Sequence, residues 1–221
     1  ACAPPRKCFV VPNGIGGRVS RIPSEDVRDR FGIPKQRKVV VGSGRAHKVK
    51  GVSFALRCLR ELIRKRSRLD VHFLYCGSGP HLQEFIEEAR ALDIADHVTF
   101  AGNQDLSSFL ASCDIAFHPS KAEVGYSLSI LEYMQAALPV VVPDNPSVCG
   151  ATISGRTGLV YKEGDVGAAA DSIEQLLDNS ERARKMGMAG SELVASEYSL
   201  DRAHSALVEV FEAVDPRLRI P

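Results

Sequence analysis

The chain has 221 residues, with 28 Lys and Arg against 27 Asp and Glu, a formal net charge of +1, 44% apolar residues and no Trp. That length allows one large domain or two small ones and a sizeable core. The near-zero charge argues against a nucleic-acid binder, and no apolar run approaches the roughly 20 residues of a membrane span.

Residues 1–8 carry Pro, Lys and Arg without an apolar stretch, so no signal peptide is expected. The six cysteines, at positions 2, 8, 58, 76, 113 and 149, form no CxxC pair. Zinc needs closely spaced ligands, and four of the six lie in apolar runs, so they read as reduced core thiols.

In chain order, residues 38–43 (KVVVGS) read as a buried strand. Residues 52–65 place Val52, Ala55, Leu56, Leu59, Leu62 and Ile63 on one helical face. A strand at 71–76 closes on Gly77-Ser78-Gly79-Pro80, and a helix follows at 82–92. Then come a strand at 98–101, a short helix at 106–112, a strand at 115–118, a helix at 128–137, and strands at 139–142 and 157–160. Two or three helices finish the chain, over 166–177, 181–196 and 200–214. Strand–helix alternation predicts an α/β fold, a Rossmann-like doubly wound parallel sheet. In such sheets the ligand lies at the C-terminal ends of the strands, near the reversal of strand order.

Two loops after strands carry chemistry. Residues 42–51 (GSGRAHKVKG) combine glycines with Arg45 and Lys50 before a helix start, an arrangement suited to a diphosphate. The alternative is a solvated basic loop. Residues 119–132 (PSKAEVGYSLSILE) run from a strand end through a Gly turn into a helix. Ser127 is a good N-cap type, and the N–H groups of Tyr126, Ser127 and Leu128 would face an anion. Glu132 could accept hydrogen bonds from a ribose diol, and Glu123 sits before the turn. The alternative there is a capped helix with a solvated Glu. The basic stretch Arg57, Arg60, Arg64, Lys65, Arg66, Arg68 reads as a solvated face. His118 is either structural or a polar contact to the ligand, and residues 14–18 read as a hinge.

At these residues the chain resembles the C-terminal, donor-binding domain of GT-B-fold retaining glycosyltransferases, the glycosyl transferases group 1 or family four. Residues 11–15 (VPNGI) look like the family's interdomain V-I-P-N-G-[VI], and Gly44-Arg45 with Lys50-Gly51 looks like its G-R-x4-K-G. Residues 77–80 look like G-x-G-P, and 98–102 like V-x-F-x-G beside the nucleobase. Residues 125–132 look like the second part of E-x7-E, and 157–165 like N-G-L-L-V-x3-G-D.

The resemblance implies one half of a GT-B fold. Residues 1–22 would be the interdomain linker, 23–200 the nucleotide-sugar domain, and 201–221 a C-terminal helix and tail. It implies Arg45 and Lys50 on the donor diphosphate, and Glu123 on the transferred sugar. Gly44, Gly125, Tyr126, Ser127 and Leu128 would line the phosphates, and Glu132 would take the ribose. No metal or cofactor is expected beyond a UDP, GDP or ADP sugar as donor substrate. The partner is an N-terminal GT-B domain, in cis or in trans, that binds an unspecified acceptor. This half alone should be inactive, cytoplasmic, and peripheral to a membrane only in the full enzyme.

The pattern departs in three places. Val124 stands where the family's first Glu belongs, and Glu123 lies nine positions before Glu132. Ala137-Leu138 replaces a Gly before the fifth strand's Pro, and residues 145–150 (NPSVCG) replace G-G-x-P-E. Two other readings stay open: a non-catalytic nucleotide-sugar-binding subunit, or a related nucleotide-sugar epimerase.

Overall fold

The computed structural model of the chain describes residues 9–17, 19–123 and 127–214. Six strands, β1 (Lys38–Ser43), β2 (Val71–Cys76), β3 (Val98–Gly102), β4 (Ile115–Phe117), β5 (Val140–Pro143) and β6 (Gly158–Tyr161), form one sheet in the order β3-β2-β1-β4-β5-β6. Every neighbouring pair is parallel. The helices are α1 (Val27–Phe31), α2 (Val52–Arg60), α3 (Leu82–Ala91), α4 (Leu128–Gln135), α5 (Pro146–Cys149), α6 (Val166–Asp178), α7 (Ser180–Glu197) and α8 (Leu200–Val214). The expected Rossmann-like sheet is therefore present.

Alternation along the strands builds two cores. Val40 and Phe73 face α2, α3 and α6 on one side, whereas Val39, Val41 and Leu74 face α1, α4 and part of α7 on the other. Successive strand residues point to opposite faces, so apolar runs with no polar alternation give a sheet covered twice. Strand order reverses between β1 and β4. The loops after those two strands therefore flank the topological switch point.

Three local results differ from the sequence expectation. Residues 106–112 form only a 3-10 turn at Leu110–Ser112. The Ser108 carbonyl is taken by the N–H groups of Ser24 and Glu25, and the Ser112 N–H that would bond it in an α-helix goes to the Phe109 carbonyl instead. α1 was not anticipated. It is a five-residue helix held by Asp26, which accepts the Arg28 N–H, and closed by Gly32. α5 lies in a stretch expected to be loop, started by the Asn145 cap and Pro146.

Ala137, where the family pattern has Gly, keeps a left-handed backbone with φ 59. Cys58, Cys76 and Cys113 are buried free thiols and Cys149 is half-buried, while Cys2 and Cys8 lie outside the described residues. Four cations of the basic stretch are paired: Arg64 with Asp93, Lys65 with Glu61, Arg66 with Asp171 and Glu174, and Arg68 with Asp70 and Asp178. Among the described residues no helix is long and apolar enough to cross a membrane.

Candidate functional site

The loop after β1 is fixed from below by the loop after β2. The Tyr75 hydroxyl donates to the Gly44 carbonyl at 2.8 Å, Gly44 N–H to the Cys76 carbonyl at 3.1 Å, and Ala46 N–H to the Ser78 carbonyl at 2.9 Å. A Cβ on Gly77 would stand 1.8 Å from the Gly44 carbonyl oxygen. Gly77 thus lets two backbones touch. On the other side, Gly51 (φ 72) starts α2, and a Cβ there would stand 1.9 Å from the Pro119 carbonyl oxygen. The loops after β1 and β4 are packed directly together, and the Lys121 N–H bonds the Val49 carbonyl at 2.8 Å.

Above the ends of β1, β2 and β3 opens a cleft of about 520 Å³. Ser43, Gly44, Arg45, Ser78, Asn103 and Glu132 are among its lining residues. Arg45 is exposed, and its guanidinium makes no ion pair or hydrogen bond among the described residues. It is an unneutralised cation on the wall of a concave site. Glu132, on α4, lies in the same cleft. Two residues singled out in different loops, 87 positions apart by number, therefore meet at one cavity.

A second group forms beside the cleft. The Lys50 ammonium donates to both oxygens of Glu123, at 2.7 and 2.8 Å, and His118 Nε2 lies 2.8 Å from Glu123 Oε1. The Glu123 side chain is 9% exposed. Burial alone would raise its carboxyl, but the hydrogen bonds from His118 and Lys50 outweigh it and hold the pKa at about 2. Lys50 is not among the residues lining the cleft, so Arg45 and Lys50 do not face one volume.

Ser127 precedes α4, but its side chain makes no capping hydrogen bond. Its hydroxyl instead approaches His118 Nε2 at 3.4 Å, because the loop packs it into a buried position beside that ring. Leu128 is exposed at the first turn. Gly125 and Tyr126 lie outside the described residues.

Sequence reasoning missed the far wall. Gln104 lines the cleft, and its amide is bonded at both ends, accepting from Arg30 on α1 at 2.9 Å and donating to the Ala101 carbonyl at 2.7 Å. Ser78 donates to Asn103 at 3.0 Å. No spacing rule announces the Arg30–Gln104 and Ser78–Asn103 contacts, which join residues 74 and 25 positions apart. The segment expected to be a hinge is bound across α4: Gln135 accepts the Val19 N–H and donates to the Gly16 carbonyl. Arg18 lies outside the described residues. Among the described residues no group of three or more His, Cys, Asp or Glu is placed to hold a metal.

The family model of glycosyl transferases group 1 matches residues 23–193. The chain belongs to that family. Among group 1 glycosyl transferases, the D-inositol 3-phosphate glycosyltransferase of Corynebacterium diphtheriae is 30% identical over 199 residues, covering 86% of this chain and 45% of the relative. The sucrose-phosphate synthase of Thermosynechococcus elongatus shares the fold at TM-score 0.78 and 20% identity, covering 94% of this chain and 52% of that one. Anabaena Alr3699/HepE, solved in complex with UDP, superposes at TM-score 0.77 and 18% identity over 85% of this chain and 51% of that one. The chain spans about half the length of the curated relatives it matches.

Proposed function

We propose that this chain is the donor-binding half of a retaining glycosyltransferase, which moves a sugar from a nucleotide diphosphate sugar to an acceptor. The observation that carries the proposal is the meeting of Arg45 and Glu132 in one cleft at the C-terminal edge of the sheet. An unpaired guanidinium suits a phosphate, and a carboxylate suits the two hydroxyls of a ribose. The UDP in the Anabaena relative supports the same ligand class.

In this reading Arg45 binds the diphosphate and stabilises it as it leaves, where negative charge grows in the transition state. Lys50 joins it by leaving Glu123, or by sharing the anion across that carboxylate. Glu132 orients the ribose. The N–H groups of Ser127 and Leu128 at the start of α4 add anion donors, because the Ser127 side chain does not cap the helix. Glu123, still held by His118 at Oε1 once Lys50 turns to the phosphate, keeps its Oε2 open to the transferred sugar. The acceptor is held by a second domain, in cis or in trans, and residues 1–22 link the two. Transfer requires both, since positioning two substrates supplies much of the rate. The assembled enzyme would work in the cytoplasm or at a membrane surface.

Calorimetric titration of the chain with UDP, GDP and ADP, without metal, tests the reading. Saturable binding of one of them is expected; no binding to any of the three contradicts it.

A further inference from the structure

The Tyr133 side chain is fully buried on α4. Its hydroxyl accepts the Ser43 N–H at 2.6 Å and stands 2.7 Å from Ser43 Oγ. A phenol has one proton to give, and a buried O–H left without an acceptor is heavily penalised. Burial pushes the Tyr133 hydroxyl's pKa well above its usual value, so the proton is present. Among the described residues the Ser43 Oγ is the acceptor within reach. Tyr133 therefore donates to Ser43 Oγ, and the proton of Ser43 must point elsewhere.

Ser43 lines the cleft next to Gly44 and Arg45 as well as a small cavity shared with Lys50 and His118, and its Oγ has no further partner among the described residues. We infer that the Ser43 hydroxyl is a further ligand-binding group, donating a hydrogen bond to the donor's diphosphate, and that Tyr133 is the positioning residue that aims it. The phosphate is favoured over the ribose because the neighbouring side chain in the loop is the Arg45 cation. The arrangement also ties two binding elements together. Tyr133 follows Glu132 on α4, so the helix carrying the ribose carboxylate also sets the phosphate hydroxyl. This inference rests on the donor-binding reading above.

The test is calorimetry on the full chain, using whichever of UDP, GDP and ADP binds the wild type most tightly, alongside its parent nucleoside. Ser43→Ala should weaken the diphosphate about tenfold, as expected for a hydrogen bond to a charged group, and leave the nucleoside unchanged. Ser43→Thr, which keeps the hydroxyl, should retain most of the affinity. Tyr133→Phe should weaken the diphosphate in the wild-type background but add little in the Ser43→Ala background, which a purely structural role of Tyr133 would not produce. Unchanged diphosphate affinity in Ser43→Ala, with Arg45→Ala still weakened, overturns the Ser43 assignment alone. Equal loss for nucleoside and diphosphate overturns the phosphate as its target. Unchanged affinity in both Ser43→Ala and Arg45→Ala overturns the underlying reading as well.

Discussion

Lys50 and Glu123, 73 residues apart, form a two-point ion pair in which the ammonium reaches both carboxylate oxygens at 2.7 and 2.8 Å. The family resemblance implies the phosphate for Lys50 and the transferred sugar for Glu123. The structure joins them directly, with His118 on the far side of the carboxylate. In the proposed donor-binding reading, a diphosphate bound here would compete with Glu123 for the Lys50 charge.

That competition has a direction. Glu123→Gln removes the negative charge and leaves Lys50 freer, so a nucleoside diphosphate should bind about threefold more tightly, in line with a modest ion-pair energy. Calorimetry checks it. Weaker binding in this variant would show that Glu123 helps to place Lys50 for the phosphate.

The same pair makes stability depend on pH. The folded-state pKa of Glu123 is lowered to about 2 from a reference of 4.5. A lowered carboxylate contributes stability above its unfolded pKa and loses it as pH falls through the folded one. The contribution should be complete above about pH 4.5 and vanish toward pH 2. After solvent screening it is on the order of 1–2 kcal/mol. Urea unfolding of wild type and Glu123→Gln between pH 6 and the acid limit should show a flatter profile in the variant. Parallel profiles would contradict the assignment.

Gly77 should tolerate no side chain. Its Cβ would fall 1.8 Å from the Gly44 carbonyl oxygen, so the loop after β1 would have to move. Gly77→Ala is expected to cost about 3 kcal/mol, a fall in Tm of roughly 6–12 °C, and to lower nucleotide affinity. Thermal unfolding within 2 °C of wild type would show that the two loops are not in this contact.

Glu132 can be separated from the phosphate groups by the ligand. Glu132→Gln should weaken a ribonucleoside diphosphate about tenfold and leave its 2′,3′-dideoxy analogue nearly unaffected, since the lost bonds are those to the ribose hydroxyls. Equal losses for both ligands would remove the ribose role.

The sheet was legible because the strands are mostly β-branched or apolar runs, such as residues 39–41 and 139–142, most of them followed by Gly or Pro. The helices that escaped notice, α1 and α5, are five and four residues long, too short to show a period. The turn at 106–112 was misread because contacts with residues 24 and 25, far away in sequence, consume its hydrogen-bonding groups. The site divides in the same way. Arg45 and Glu132 were visible because each sits at a strand-to-helix loop of recognisable composition. The Lys50–Glu123 pair and the Tyr133–Ser43 bonds were not, because only folding brings residues 73 and 90 positions apart together.

The most direct test of the donor-binding account is the nucleoside diphosphate affinity of Arg45→Ala against wild type, by calorimetry at low salt and without metal. The account predicts a loss of about 1–3 kcal/mol, roughly fivefold to 150-fold, as for a charge-assisted hydrogen bond. Unchanged affinity would mean that the diphosphate does not lie against Arg45, and would contradict the central claim.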